Sequence, residues 1–421
     1  MNDASRAIQR IYLILLLLHT LAASFIWGIN TLFLLDAGLT NAQAFAANAF
    51  FTVGLVLFEV PTGVIADTSG RRVSYLLGTL TLTIATLVYL LMWRMSAPFW
   101  AWALTSVFLG LGFTFFSGAT EAWLVDALRA SGFDGHLDKV FARGKIVEGI
   151  AMLTGSVAGG FIAQRTSLGV PYVLRAIILG ISFVLAFVLM RDVGFKPRRS
   201  GRIVHEVKGI LREAIKHGLG NRPVRWVMFA ALFTDGVGIY AFYAMQPYLL
   251  NLYGNQKAYG IAGLAAAIVA GAQIAGGLLV PFVGRIFRRR TAVLLTALAI
   301  STVILTLIGL LPRFAIVIAL FVVWGLMFAA ITPIRQAYLN GLIPSEQRAT
   351  VLSFDSLLSS TGGVAFQPLL GKVADRGGYP LSYICGAGIQ LLALPFAWLA
   401  LRERAPSDAI EGDDEHDVRA L

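Results

Sequence analysis

Apolar runs of about 20 residues, the length needed to cross hydrocarbon, recur along the whole chain. They are read near 11–35, 44–66, 73–93, 99–127, 139–163, 171–190, 224–252, 259–283, 291–311, 314–340, 348–371 and 381–401. The runs are continuous rather than alternating. Each must satisfy its own backbone in lipid, so the pattern predicts helices and not barrel strands. The longest polar stretch, 191–225, divides the spans six and six. Within it, Ile203 to Leu219 sets Val204, Val207, Leu211 and Ile215 on one helical face, with Arg202, Lys208, Arg212 and Lys216 elsewhere. That spacing predicts a helix lying on the inner membrane surface.

The two halves also resemble one another. Phe25 to Asn30 runs parallel to Ala241 to Gln246, Gly110 with Ala122-Trp123-Leu124 to Gly325 with Ala337-Tyr338-Leu339, and Gly160 to Arg165 to Gly371 to Arg376. The offsets stay at roughly 211–216 residues, about half the chain, as a duplicated six-helix unit requires. The expected organisation is an all-α membrane protein with twelve transmembrane helices in two pseudo-symmetric six-helix bundles. Residues 1–193 form the first bundle, 194–222 a basic cytoplasmic linker with an amphipathic helix, and 223–404 the second bundle. Residues 405–421 are expected to be an acidic disordered tail.

Composition narrows the class. The chain of 421 residues is 57% hydrophobic and 14% charged, which no small soluble globule can cover with a charged skin. The net charge of +11 does not point to nucleic acid. Most Lys and Arg fall in loops on the side that holds the N-terminus, including Arg71–Arg72, Arg285 and Arg288–Arg290. That asymmetry places both termini in the cytoplasm, and the compact loops suit a prokaryotic inner membrane. The first run follows Arg6 and Arg10 but is too long for a signal peptide, so it reads as an uncleaved helix. Cys385 is alone, and no Cys/His cluster has metal-ligand spacing; no metal or cofactor is expected. There is no phosphate-cradling G-x-x-x-x-G-K-[ST], no H-E-x-x-H and no G-x-S-x-G. Neither ATP-driven transport nor an enzyme is expected.

Between the second and third runs stands Gly63-x-x-x-Asp67-x-x-Gly70-Arg71-Arg72. This closely resembles the loop between helices 2 and 3 of major facilitator superfamily transporters, with Thr68 where the family usually has a basic residue. The fifth run carries Gly155-Ser156-Val157-Ala158-Gly159-Gly160, which resembles the G-P-x-x-G-G signature of the antiporters in that superfamily, with Ser156 in place of Pro. The fourth run lacks the buried Arg that the family often places shortly before its Gly-x-Gly; Val107 precedes Gly110-Leu111-Gly112. The resemblance implies alternating access between two rocking halves. It also implies a cytoplasmic gate in which Asp67 meets the start of the eleventh span, where the helix dipole favours an anion.

Ionisable groups inside hydrocarbon are costly and therefore informative. His19 lies about 12 Å into the first span, and Asp235 occupies the matching position in the seventh. His19 shares a helical face with Trp27 and Asn30, and Asp235 with Tyr243 and Gln246. His19, Asp235, Glu59 and Glu148 are the proton-coupling candidates; a fixed polar pair that only holds helices together is the competing role. Glu148 has Lys145 three residues before it, and Glu59 has Lys145 or Arg143 as possible partners. Asp355 has no clear partner in the sequence. Glu121 and Asp126 are expected to form gate ion pairs with Arg71, Arg72 or Arg143, and Arg335 and Gln336 occupy the corresponding place in the tenth span. Trp27, Asn30, Phe116, Tyr240, Tyr243 and Gln246 are the cavity candidates, an aromatic set suited to greasy ligands.

The expected function is proton-coupled efflux of a small hydrophobic or amphipathic compound such as a drug, by a monomer in the lipid bilayer. Two alternatives stay open: a proton-coupled importer or facilitator of a polar metabolite served by Asn30, Gln246 and Arg335, and a receptor or scaffold that transports nothing.

Overall fold

The computed structural model describes residues 3–197, 215–277, 279–344 and 347–410. The helices of the first half are α1 (Asp3–Trp27), α2 (Asn30–Asp36), α3 (Asn41–Ser69), α4 (Arg71–Met95), α5 (Phe99–Thr114), α6 (Ala119–Ala130), α7 (Leu137–Arg165) and α8 (Gly169–Leu189). Those of the second are α9 (Arg222–Tyr253), α10 (Tyr259–Gly277), α11 (Val280–Ile286), α12 (Arg290–Leu310), α13 (Phe314–Asn340), α14 (Arg348–Leu391) and α15 (Leu394–Glu403). Among the described residues the only β contact is the isolated bridge Arg289–Ala409.

Ten of these helical segments are long and apolar enough to cross a membrane, with Tyr259–Gln273 a shorter apolar helix. The count falls below twelve because one helix boundary is hidden. α14 runs through Gly378 at φ 77°, ψ 173°, a non-helical joint that separates the eleventh span from the twelfth. Conversely, two spans are broken inside. α1 and α2 are separated at Gly28–Ile29, where Ile29 adopts φ −132°, ψ 2°. α5 and α6 are separated at 115–118, where Gly118 takes φ 65°, a value an L side chain disfavours. α3 starts on a capping box: Thr40 Oγ1 accepts from Gln43 N, and the Gln43 side chain accepts from Thr40 N.

The described residues pack as two compact units. One comprises Met1–Val207 and Met245–Ala267, the other Lys208–Ala244 and Ile268–Leu421. Thus α9 and α10 each contribute to both units. Most of the amphipathic stretch expected over 203–219 lies outside the described residues; its last five, Ile215–Leu219, form a single π-helical turn. The acidic tail is expected from 405, yet Ala405 to Ile410 are built into the second unit: Asp408 is 2% exposed. Its Oδ1 accepts from Thr291 N at 2.8 Å and from Thr291 Oγ1 at 2.7 Å. Those bonds satisfy an otherwise open N–H at the start of α12, and the carboxylate meets the positive end of the helix dipole. Residues 411–421 lie outside the described residues.

Packing follows membrane rules. On α4, Leu80, Ile84, Leu87 and Leu91 recur every three or four residues and are exposed, which marks a lipid-facing stripe. Inside, aromatic rings interlock: Phe33 stacks on Tyr172 with centroids 3.9 Å apart, and Tyr89 packs edge-on against Trp102 at 4.9 Å. Helices approach closely where glycine removes the side chain. A Cβ on Gly54 would collide with Val107 O, and one on Gly110 with Phe51 O, so α3 and α5 touch backbone to backbone. In the second unit Gly236 of α9 abuts Gly362 of α14. Gly180, by contrast, has nothing within 4 Å of the place its Cβ would take. Gly54→Ala should therefore destabilise the purified protein by about 1–3 kcal/mol, the usual cost of overpacking. Gly180→Ala should leave thermal unfolding in detergent unchanged, and equal melting of the two variants would refute the backbone-contact reading.

Candidate functional site

The second unit holds a cavity of about 250 Å³ between α9, α12, α13 and the last span. Its wall is mainly apolar, with Trp324 and Phe328 among the large side chains. Asp235 from α9 and Arg335 from α13 bring charge to it. The Asp235 carboxylate takes hydrogen bonds from Thr234 Oγ1, at 3.3 Å, and from Ser359 of α14. Arg335 Nη2 donates to Asp355 Oδ1 at 2.5 Å. Asp355 therefore does have a partner, one on the neighbouring helix that sequence spacing alone does not reveal. Both carboxylates share the electrostatic field of one guanidinium.

In the first unit His19 sits in an aromatic box, 4.1 Å from the Phe116 ring centroid and 5.7 Å from that of Phe113. Its Nδ1 is buried with no hydrogen-bond partner among the described residues. Close by is Arg175 of α8, 2% exposed, which the sequence reading passed over. Its Nε donates to Thr86 Oγ1 at 3.1 Å, its Nη1 to Ala22 O at 3.4 Å, and its guanidinium lies 5.7 Å from the Phe113 centroid. The signal was available: a lone arginine inside the sixth apolar run, its fifth residue.

The remaining carboxylates are engaged locally. Glu59 Oε1 accepts from Ser117 Oγ at 2.6 Å rather than pairing with Lys145 or Arg143. Glu148 pairs with Lys145 at 2.8 Å, as their spacing suggests. At the loop motif Gly70 has φ 108°, a value that favours glycine, and it turns the chain directly from α3 into α4. Asp67 pairs with Arg71 at 2.5 Å. Arg72 N donates to Asp192 Oδ1 at 3.0 Å and its side chain to Phe187 O at 2.5 Å. Asp192, just past the sixth span, thus caps α4; it was not among the sequence candidates. Arg143 reaches Gln9 Oε1 at 3.5 Å. Among the described residues neither Glu121 nor Asp126 of α6 forms an ion pair with these arginines, contrary to the gate expectation. The motif's first glycine, Gly63, has open space at its Cβ position.

The glycines of the fifth span bear on helix contacts. A Cβ would drive Gly155 into Ser24 and Gly159 into Phe25 O on α1, and Gly160 into Tyr259 O on α10. Of the cavity candidates, Tyr240 is 1% exposed and its hydroxyl donates to Ser382 Oγ at 2.6 Å. Phe116 is packed on His19 and Tyr75. Tyr243 lies edge-on to Phe242 at 5.3 Å. Asn30 donates to Asn48 Oδ1 and accepts from the Tyr172 hydroxyl, both at 2.9 Å. Gln246 is fully buried and bonds the main chain beside Trp27. Phe116, Tyr240 and Gln246 are enclosed by packing and hydrogen bonds. One-dimensional faces cannot distinguish a wall from the packing behind it.

Serial apolar helices, broken spans and ionisable groups held among them define a multi-pass membrane transporter. The chain belongs to the Major Facilitator Superfamily, whose family model matches residues 12–311 and 259–419. The curated relatives include the multidrug resistance protein MdtG of Salmonella choleraesuis, 23% identical over 347 residues, which cover 81% of both chains. Among solved structures, the nucleoside transporter NupG superposes with a TM-score of 0.70 at 12% identity, covering 95% of this chain and 100% of that one. A bacterial homologue of the human lysosomal transporter Spinster, inward-facing and unoccupied, gives 0.71 at 15% identity, over 97% and 99% of the two chains. The fold is that of twelve transmembrane helices, and a small-molecule substrate follows from the family.

The Arg335–Asp355 pair is buried enough that breaking it leaves a charge without compensation. Arg335→Met is expected to cost about 2–3 kcal/mol, less than a fully dry pair because Arg335 reaches the cavity. The double variant Arg335→Met with Asp355→Leu should regain most of that. Melting curves of the single and double variants measure the coupling; strict additivity would show that the pair contributes nothing.

Proposed function

We propose that the protein exports small hydrophobic or amphipathic compounds in exchange for protons, by alternating access. The observation that carries this reading is Asp235, a carboxylate set in a mainly apolar wall beside Arg335 in the second-unit cavity. Apolar and aromatic walls suit greasy ligands, and an intramembrane carboxylate is suited to binding and releasing a proton as water access changes. The similarity to proteins named for multidrug resistance supports the same direction. His19, with its unbonded Nδ1, is the second proton candidate. Glu59 and Glu148 are weaker ones, because each already has a close partner.

In the proposed cycle, protonation of Asp235 removes a charge and lets the transporter reorient, while substrate competes for the ionised form. The chain acts as a monomer, with its termini on the cytoplasmic side of a prokaryotic inner membrane, following the positive-inside distribution of Lys and Arg. In proteoliposomes, Asp235→Asn should abolish pH-gradient-driven flux of lipophilic dyes while substrate-only exchange persists. Full gradient-driven flux in that variant would remove Asp235 from coupling. Cells lacking the protein should accumulate the exported compound; reduced accumulation would instead favour an importer.

A further inference from the structure

The break between α1 and α2 contains an unusual substitution of bonding. In an unbroken helix Thr31 N would donate to Trp27 O, four residues back. Here Gln246 of α9 stands between them. Its Oε1 accepts from Thr31 N at 3.1 Å, and its Nε2 donates to Trp27 O at 2.9 Å. One carboxamide thus takes both ends of the missing helical bond. Gln246 and Thr31 are both fully buried.

Three further features mark this as a joint rather than a fixed seam. First, Pro247 follows Gln246 inside α9 and lacks the N–H for one helical rung, which weakens α9 at the same level. Second, the compact units change over between Ala244 and Met245, so Gln246 is at the start of the segment Met245–Ala267 that packs with α1 to α8. That packing is close: a Cβ on Gly28 would stand 2.9 Å from Gly263 Cα, and one on Gly160 would stand 2.9 Å from the same atom. Third, the junction is incompletely bonded. Thr31 Oγ1 and Asn48 Nδ2 are buried without hydrogen-bond partners among the described residues. In hydrocarbon such groups are costly, and an alternative arrangement that satisfies them is correspondingly favoured.

We propose that Gln246 is a latch for the conformational cycle, a positioning residue that holds the first span broken while Met245–Ala267 is docked. When that segment withdraws, the carboxamide leaves and Thr31 N can close its own bond to Trp27 O. The first span then becomes continuous. Both arrangements satisfy the same two backbone groups, which is what a bistable element requires. The inference stands on bonding geometry and needs no assumption about substrate or proton coupling.

The test uses the full-length protein with Cys385→Ser and spin labels at two exposed positions, Arg94 beyond the middle of α4's last turn and Lys257 between α9 and α10. Pulsed electron-resonance distances report whether Met245–Ala267 is docked. Gln246→Leu keeps the bulk but neither bond, and should raise the ratio of long to short distances roughly tenfold, the effect of losing two hydrogen bonds of ordinary net strength. Gln246→Glu covers the case in which the leucine variant fails to fold. A protonated carboxyl can still donate to Trp27 O and accept from Thr31 N, whereas a carboxylate repels the carbonyl. Its distances should therefore resemble the parent at low pH and lengthen at high pH. The parent at the same two pH values is the reference, because protonation of Asp235 is itself proposed to shift reorientation; the lengthening of the glutamate variant beyond the parent's reports the Gln246 position alone. Identical distance distributions in parent and variants at both pH values would overturn the latch.

Discussion

Hydrocarbon offers no hydrogen bonds, and the whole arrangement answers to that fact. Every backbone group must find a partner within the protein, so the chain is helical almost throughout, and each helical break needs a remedy. At Gly28–Ile29 the remedy is the Gln246 side chain. Helix starts in the loops are capped as well, although water reaches them: Asp192 takes the Arg72 N–H past Gly70, and Asp408 takes the Thr291 N–H from a segment more than a hundred residues further along the chain. Hydroxyls play the same part on a smaller scale: Thr86 Oγ1 donates back to Leu82 O while accepting from Arg175.

Charge obeys the same constraint. Two arginines set among the helices are compensated in different ways. Arg335 takes Asp355 directly, whereas Arg175 uses a hydroxyl, a carbonyl and an aromatic face. Asp235 differs in kind. Its bonds come from hydroxyls, it faces a cavity, and the nearby guanidinium is already held by another carboxylate. A group in that position keeps a choice of proton, water or ligand, which a closed ion pair does not. That contrast underlies the proposed transport role more than the number of acidic residues in the spans.

Glycine sets how closely the helices approach. Gly155 and Gly159 bring α7 onto α1, and Gly160 brings it onto α10. The sequence resemblance to an antiporter signature is thus accompanied by a plain packing function. Smooth, closely approached helix faces suit elements that must part and meet again, because no interdigitated side chains need to be extracted. The same faces surround the Gln246 junction, where polar bonds add a definite docked position to an otherwise smooth surface.

Sequence by itself determined the helical class, the spans and the family. Hydrophobic length is a one-dimensional property, and the Gly63 to Arg72 motif is contiguous. It also marked His19 and Asp235, since an ionisable residue inside an apolar run stands out without any coordinates. Tertiary structure decided the rest: that Asp355 belongs to Arg335, that Asp192 caps α4 while Asp67 pairs with Arg71, that Arg72 turns to Phe187, and that Asp408 is folded in rather than left in the tail. It also decided that Gln246 serves the backbone of another helix. Each of these depends on which helix lies beside which, and helix neighbours are fixed by packing across long separations in the chain. Residue order records what a segment is made of; only the assembled helices bring a side chain to the one bond it completes.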